Sequence, residues 1–400
     1  MYVHHGCRIP CGLSLFDSGG AVETPGGCAN VALCDARAMQ RRACLIALGA
    51  GTAAPACALQ AAAAPPAPLR FPADHGAHPQ VRTEWWYITG SLQSGARLFG
   101  FQITFFRSAT GIAADHPSRF AASQLVFAHA ALTDLEGRKL RHDQRIARAG
   151  FDIAEAATGD TRLRLRDWRL ERSGGDSAAH DRYRVNVASR SAGFGFELVL
   201  AADAAPLLQG EAGLSRKGPQ PGDTSRYYSR PQLAAQGSLV LDGRTLPVDG
   251  GRAWLDHEWS DSFLPASSVG WDWIGINLDD GGALTAFRLR RADGTSLYAG
   301  GSHRGADGRV RIFASDEVRF VPGRTWRSAS SGANYPVQWQ IETPADRHRV
   351  EALLDAQELD SRAGTGAVYW EGLSDLFDAA GARVGRGYLE MTGYAGALRP

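Results

Sequence analysis

Cysteine is missing from most of this 400-residue chain. All six cysteines lie before residue 60, and none follows. The main body of the protein therefore has no disulfide, no thiolate metal site and no cysteine nucleophile. The six are Cys7, Cys11, Cys28, Cys34, Cys44 and Cys57.

The chain also lacks an excess of charge of either sign. Its 43 basic and 42 acidic residues leave a formal net charge of +1 at pH 7. This balance gives no reason to expect a nucleic acid or an acidic polymer as a partner. Hydrophobic residues make up 44% of the chain and charged residues 21%, which are the proportions of an ordinary globular protein.

The sequence signatures of several enzyme classes are absent. There is no G-x-S-x-G nucleophile elbow and no P-loop. The pair His257-Glu258 is not followed by the second histidine of an H-E-x-x-H zinc motif. A serine hydrolase is therefore not expected, and the sequence predicts no metal site and no cofactor.

The N-terminal region has the features of an export signal that begins at Met39. Arg41 and Arg42 form a basic start, and residues 43–54 are apolar but too few to cross a bilayer about 30 Å thick. Small residues suited to cleavage follow, so we predict an export signal over 39–64. Residues 1–38 show no periodicity, and we expect them to be a non-native upstream extension. No other segment is predicted to span a membrane.

Three interpretations of this leader remain open. The arginine pair followed by Leu45 is similar to a twin-arginine signal. Cys57 could instead carry the lipid of a lipoprotein, although Ala54 stands where such signals usually have leucine. The segment could also be a disordered alanine-rich leader. We expect an exported protein, periplasmic or secreted.

After the leader, apolar and polar residues alternate with a period of two in pieces of strand length. Turn signals such as Asp242-Gly243 and Asp293-Gly294 separate the pieces. We therefore predict an all-β fold with two β units, over residues 71–255 and 256–400. The predicted strand segments include 97–106, 123–134, 161–171, 193–202, 270–281, 283–294 and 335–344.

The segment GRAWLDHEWSDSFL, residues 251–264, places three ionisable residues between two tryptophans. On a strand, Asp256 and Glu258 point to one face and His257 to the other. Two neighbouring carboxyls separate their pKa values, so we predict them as acid and base, with His257 as a relay or a support. The acids could instead accept hydrogen bonds from arginine or backbone N–H groups at the junction of the two units.

Other segments also combine aromatic residues with acids. They are RTEWWYITG at 82–90, GWDWIG at 270–275 and VYWEG at 368–372. Each could be purely structural, with tryptophans filling a core and acids capping turns or pairing with arginines. The ligand-binding residues predicted from these segments and the one above are Glu84, Trp85, Trp86, Trp254, Trp259, Trp271, Trp273, Tyr369, Trp370 and Glu371.

Together, the clusters predict an aromatic-lined hollow, where the two units meet, that suits an elongated apolar ligand. Burial among indoles disfavours the charge of a carboxylate, so we expect the pKa of Asp256 to lie above about 3.9. A protonated carboxyl could donate its proton to an alkene. Facing π systems and a second carboxylate would stabilise the resulting cation.

Two other segments have features of functional sites. His75 and His78 have the H-x-x-H spacing of a metal site, but they lie in a proline-bounded loop, and we predict a flexible segment there. Residues 208–226 predict a long loop that could lie across a barrel mouth.

Eight blocks of the sequence resemble a known family in their order and approximate spacing. FAHAALTD contains His129 and RYYSRPQL contains Tyr228, which we add to the predicted ligand-binding residues. The chain is similar from about residue 71 onwards to AttH-type predicted secreted hydrolases and to carotenoid 1,2-hydratases, also called hydroxyneurosporene synthases. The other blocks are HPQVRTEWWYITGSL, GFQITFFRS, GRAWLDHEWSDSFLPASSVGWDWIGINLDDG, NYPVQW, VYWEG and GRGYLEMTGY.

The resemblance implies two lipocalin-like β-barrel domains packed side by side around a hydrophobic ligand. In the hydratase branch of the family, water adds across the terminal C1–C2 double bond of an acyclic carotenoid without a redox cofactor. Related proteins of this shape act as pericyclic cyclases. The AttH branch is often encoded beside an ABC-type exporter. The block Trp-Leu-Asp-His-Glu-Trp-Ser and the leader resemble the AttH branch more closely.

Two functions are therefore predicted. The first is an exported protein that binds or carries an apolar molecule, isoprenoid or lipid-like, and serves an ABC-type envelope transporter. The alternative is a cofactor-independent hydro-lyase of the carotenoid 1,2-hydratase type, in which Asp256 and Glu258 act as acid and base.

The leader generates a direct test of its own. We expect N-terminal sequencing of the native protein, isolated from its host, to give a first residue near Pro65, because the predicted signal is removed on export. An N-terminus at Met1 or Met39 in the mature protein would contradict the prediction of a cleaved signal.

Overall fold

Antiparallel β-strands provide nearly all the regular structure in the computed structural model, which describes residues 67–174 and 180–398. A 3-10 turn spans Ala73–His75, and no helix within these ranges is long and apolar enough to cross a membrane. These residues belong to one compact unit. The all-β prediction is confirmed. The predicted extension, the export signal and the six cysteines lie outside the described ranges.

The first sheet contains fourteen strands and forms a nearly closed barrel. They are β1 (Thr83–Ser94), β2 (Arg97–Ala109), β3 (Gln124–Asp134), β4 (Lys139–Arg148), β5 (Ala154–Ala156), β6 (Arg162–Leu165), β7 (Trp168–Ser173), β8 (Arg182–Ser189), β9 (Phe194–Ala201), β10 (Leu207–Leu208), β11 (Leu214–Arg216), β12 (Thr224–Leu241), β13 (Arg244–Val248) and β14 (Gly250–Ser260). Their order is β4-β3-β2-β1-β14-β12-β9-β8-β7-β6-β5, with β10, β11 and β13 paired to β12. Contacts of β3 and β4 with β6 bring the two ends of the sheet together.

The second sheet contains ten strands, and two short strands form a separate pair. They are β15 (Gly270–Leu278), β16 (Ala283–Arg290), β17 (Ser296–Arg304), β18 (Val310–Phe313), β19 (Arg319–Pro322), β20 (Thr325–Arg327), β21 (Asn334–Pro336), β22 (Gln338–Glu342), β23 (Arg347–Ala352), β24 (Glu358–Ser361), β25 (Ala367–Phe377) and β26 (Arg383–Met391). The sheet runs β18-β17-β16-β15-β26-β25-β23-β22-β19, with β24 on β25, and β20 pairs with β21. The lipocalin-like prediction is confirmed.

Each sheet encloses a core built by the period-two alternation of its strands. In the first sheet, Trp86, Phe101 and Trp168 point into the barrel interior and are almost fully buried. In the second, Trp339 and Trp370 occupy the equivalent place. Because successive residues of a strand point to opposite faces, the neighbours of these residues face outwards from each core.

A third core joins the two sheets face to face. Tyr87 and Trp254 of the first sheet pack there with Trp273, Phe287 and Tyr388 of the second. Strands β1 and β14 are thus covered on both faces, one by the barrel interior and the other by the second sheet. This double coverage makes the junction of the sheets a buried region.

A β-bulge in β12 provides a polar contact between the sheets. The pairing of β12 with β14 shifts between Arg230 and Leu233, and Gln232 has a left-handed backbone with a φ of 61°. The Gln232 side-chain amide donates to the carbonyl oxygens of Leu278 at 2.8 Å and Gly282 at 2.6 Å. The bulge therefore directs a buried amide at the backbone of the second sheet.

The structure differs from the sequence-based strand assignment in three places. Residues 161–171, predicted as one piece, form the hairpin of β6 and β7, whose turn contains Arg166 with a φ of 58°. The predicted boundary after residue 255 falls inside β14, and the second sheet begins at Gly270. Residues 208–226, predicted as a long loop, contain β11 and the start of β12.

The close approach of the sheets at Gly100 can be tested by substitution. A Cβ atom there would lie 2.7 Å from the Tyr388 hydroxyl and 3.1 Å from Leu373 Cβ, both in the second sheet. We expect Gly100→Val to lower the free energy of unfolding by about 1–3 kcal/mol through overpacking, measured by urea denaturation.

Gly250→Val is the matched control, because Gly250 also lies in a strand and a Cβ atom added there would have no neighbour within 4 Å. Equal stability of the two variants would show that the sheets do not pack as described at Gly100.

Candidate active and ligand-binding site

A cavity of about 350 Å³ lies between the two sheets, outside both barrel cores. Strands β1, β2, β3, β4, β12 and β14 contribute one wall, and β15, β16, β25 and β26 contribute the other. Successive residues of a strand point to opposite faces, so every second residue of β1 (Thr83, Trp85 and Tyr87) lines the cavity. The aromatic lining residues are Trp85, Tyr87, Phe106, Phe127, Tyr227, Phe263, Trp271, Trp273, Phe287 and Tyr369.

Asp256 is buried in the cavity wall and has only neutral hydrogen-bond donors. The Tyr227 hydroxyl donates to Oδ2 at 2.8 Å, while Ser229 Oγ and Trp254 Nε1 donate to Oδ1 at 2.5 and 2.7 Å. Burial raises the pKa of Asp256 to about 7, although these hydrogen bonds oppose the shift. The direction agrees with the expectation from the sequence. This carboxyl is therefore poised to hold or release a proton near neutral pH.

Glu258 lies on the same strand face, two residues further along β14, but has a cationic partner. Lys217 Nζ lies 3.0 Å from Glu258 Oε1. The same ammonium lies 4.5 Å from the ring centre of Tyr227 and 4.6 Å from that of Phe287. The lysine reaches the cavity from the connection between β11 and β12, within the segment predicted as a loop.

A second pair of carboxyls occupies the opposite wall. Glu371 of β25 and Glu390 of β26 are direct partners in the strand register, and both line the cavity. Burial raises the pKa of Glu371 well above its ordinary value, and the neighbouring charge of Glu390 adds to this. Burial likewise raises the pKa of Glu390. Ionisation of both members of the pair is therefore disfavoured.

His129 and Tyr369 join the two walls by a hydrogen bond. His129 Nδ1 lies 2.7 Å from the Tyr369 hydroxyl oxygen, and both side chains line the cavity. Burial lowers the pKa of His129 to about 3, so the imidazole is neutral at physiological pH. It can position Tyr369, but it adds no positive charge to the cavity.

The opposite face of β14 carries a separate network inside the first barrel. His257 Nε2 and His78 Nδ1 donate to Glu84 Oε1 at 2.9 and 2.7 Å, and Arg107 Nε donates to Oε2 at 2.8 Å. Burial alone would raise the pKa of Glu84, but hydrogen bonds from His257 and His78 lower it to about 2. His257 Nδ1 lies 3.2 Å from the hydroxyl oxygen of Tyr228. Glu84 is thus a fixed, compensated carboxylate.

Among the described residues, His78, Glu84 and His257 form the one group with the donor types and spacing to hold a metal ion. Their donor atoms lie within 4.8 Å of one another. Glu84 also pairs with Arg107, and His78 stacks on Trp259 with ring centres 3.9 Å apart. The prediction of a flexible segment around His75 and His78 is wrong, because His75 is fully buried and His78 is held by Glu84 and Asp74.

The predicted site residues divide between the cavity, the cores of the two sheets and the core between the sheets. The structure does not bring His257 to the cavity, and no hydrogen bond joins it to Asp256 or Glu258 within the described ranges. Trp254 supports Asp256 from the inter-sheet core. The predicted residues that line the cavity are Trp85, His129, Asp256, Glu258, Trp271, Trp273, Tyr369 and Glu371. Those that lie in the barrel cores or the network are Glu84, Trp86, Tyr228, His257, Trp259 and Trp370.

The sequence analysis did not predict several of the residues that line the cavity. Tyr227 precedes the predicted Tyr228, and strand alternation would have placed one of the two on each face. Glu390 lies in the strand GRGYLEMTGY, where its charge between apolar neighbours was a usable signal. Lys217 lies between short strands in a Gly- and Pro-rich segment, and nothing local indicates that it reaches a cavity.

Comparisons with known proteins agree on one family. The AttH-like family model matches residues 62–394. A crystal structure assigned to AttH from Nitrosomonas europaea is 46% identical, with a TM-score of 0.75, covering 82% of this chain and 98% of that one. Kievitone hydratase from Nectria haematococca has a TM-score of 0.61 at 14% identity, covering 82% of this chain and 93% of its own. At 14% identity, the similarity to kievitone hydratase shows a shared fold only.

The comparison with curated proteins finds no match. The family model nevertheless covers most of the chain, and it includes both walls of the cavity. The chain therefore belongs to the AttH-like family.

Proposed function

We propose that this protein binds an apolar, isoprenoid- or lipid-like molecule in the cavity between its two sheets. One observation carries the proposal: a cavity of about 350 Å³ with an aromatic lining from both walls. Ligand pockets of proteins have volumes of roughly 300–1,000 Å³ and mostly apolar linings with a few convergent polar groups. Burying apolar ligand surface there contributes roughly 25 cal/mol per Å².

The proposal extends to where the protein works. We propose that it is exported and that it passes its ligand to an ABC-type envelope transporter. The leader over 39–64 and the resemblance to the AttH branch support this extension. A carrier site between two sheets suits such a role because an apolar molecule crossing an aqueous compartment must be shielded from water.

Ligand binding is tested with farnesol, a neutral isoprenoid alcohol. We expect purified protein to bind it and Ala367→Trp to bind it at least tenfold more weakly, because Ala367 lines the cavity and an indole there would fill it. Equilibrium dialysis with radiolabelled farnesol measures both affinities.

Ala382→Trp is the control, since Ala382 is exposed in the turn between β25 and β26. Undiminished binding by the Ala367 variant would place the ligand elsewhere and contradict the proposal.

A cofactor-independent hydro-lyase is the second candidate, and Asp256 favours it. A buried carboxyl with a pKa near 7 can be protonated and still donate at neutral pH. In this proposal its proton passes to C2 of the terminal C1–C2 double bond of an isoprenoid chain, and the facing aromatic rings stabilise the tertiary cation that forms at C1. Water then adds to the cation, and Glu258 accepts the proton that the water releases. Kievitone hydratase shares the fold, which makes a hydratase compatible with this architecture.

Hydration is tested with neurosporene, following formation of its 1-hydroxy product by chromatography. We expect Asp256→Asn to lower the rate roughly 100-fold or more, because the proton donor is lost, and Glu258→Gln to lower it as well. The wild-type rate should fall as the pH rises through about 7, because Asp256 then loses the proton that it must donate.

Asp316→Asn is the control, since Asp316 is exposed and far in sequence from the cavity residues of either wall. Retained farnesol binding without any hydroxylated product in the wild type would rule out the hydratase and leave the binding protein.

A further inference from the structure

The wall formed by β25 and β26 contains acidic groups without a matching cation. Glu371 is 2% exposed; the neutral Tyr87 hydroxyl interacts with its carboxyl, but its Oε1 atom has no hydrogen bond of ordinary geometry among the described residues. Glu390 lies directly opposite it in the strand register. The cationic side chains among the lining residues are Lys217 and the exposed Arg82, and Lys217 already pairs with Glu258. Ionising a buried carboxyl without a cation is costly, so a bound cation would stabilise the charged form of this pair.

On the other wall, an ammonium group pairs with the buried carboxylate. The Lys217 ammonium contacts the Glu258 carboxylate and lies over the faces of Tyr227 and Phe287, at 4.5 and 4.6 Å from their ring centres. A carboxylate together with aromatic faces is the combination that binds organic ammonium ions. The cavity thus already holds one ammonium group, supplied by the chain itself.

The same combination is repeated around the unpaired acids. Trp271 and Tyr369 line the cavity beside Glu390 and Glu371, and Tyr369 lies two residues from Glu371 on the same face of β25. His129, the remaining titratable neighbour from β3, is neutral and bonded to Tyr369. Aromatic rings and carboxyls therefore lie together at a second position, and the part of the chain that the structure describes lines it with no further cation.

We infer that the cavity selects apolar molecules that carry an ammonium group, either a protonated amine or a quaternary ammonium, with the nitrogen beside Glu371 and Glu390. This inference rests on the proposed function, since it names the class of apolar ligand. The ligand's positive charge stabilises the ionised form of this acidic pair, and its apolar chain fills the aromatic remainder of the cavity.

Three probes with the same eight-carbon chain and different charge test this inference. They are octyltrimethylammonium, 1-octanol and octanoate, each titrated into the protein at pH 8 by isothermal calorimetry. We expect octyltrimethylammonium to bind at least tenfold more tightly than 1-octanol, and octanoate to bind most weakly. Equal or tighter binding of 1-octanol, or tightest binding of octanoate, would overturn the inference.

Two substitutions test whether the acidic pair causes the preference for the ammonium probe. In the double variant Glu371→Gln and Glu390→Gln, we expect the preference for the ammonium over 1-octanol to fall to about twofold or less. A far-UV circular dichroism spectrum like that of the wild type and cooperative unfolding in urea would show that the double variant is folded. Glu136→Gln is the control, because Glu136 is 70% exposed and outside the cavity, and it should keep the full preference.

The outcomes separate the two proposals. If none of the probes binds and farnesol does not bind either, the proposed function fails and the inference fails with it. If 1-octanol and farnesol bind but the ammonium has no advantage, only the inference fails. An ammonium preference that survives in the double variant would likewise overturn the inference, because the selectivity would then come from other residues.

Discussion

The coverage of strands β1 and β14 on both faces is the constraint on which the rest of the molecule depends. Residues 253–260 of β14 are all buried, whereas an ordinary barrel strand has one face in water. A strand in this position cannot place a charged side chain in solvent on either side. Each ionisable group must therefore find a partner or change its protonation state. The inter-sheet core and the cavity both exist because the second sheet covers this outer face.

Two carboxyls show how the same burial leads to opposite electrostatic results. Glu84 and Asp256 are both buried on neighbouring strands, yet their pKa values are shifted to about 2 and about 7. Glu84 receives hydrogen bonds from His78, His257 and Arg107, so its charge is compensated. Asp256 receives only neutral donors. The barrel interior thus holds its acid permanently ionised, which suits a structural tie, while the cavity holds acids that can exchange protons and respond to a ligand.

The alternation of polar and apolar residues was sufficient to predict much of this arrangement. It indicated an all-β fold and placed Asp256 and Glu258 on one face of a strand with His257 on the other, as the structure has them. It could not predict contacts between distant segments. Lys217 reaches Glu258 from another part of the chain, and Glu390 meets Glu371 only because β25 and β26 pair. The hairpin at Arg166-Asp167 was missed because this turn lacks the glycine or asparagine that marks the turn at Asp242-Gly243.

The bulge at Gln232 has a mechanical consequence for the whole molecule. Its amide holds the backbone of the second sheet near the end of β15 that is farther from Trp271. Parting the sheets at that end would leave buried donors and acceptors unpaired. The residues of β15 that line the cavity, Trp271 and Trp273, lie towards the opposite end of that strand, so this contact can secure the junction without filling the cavity.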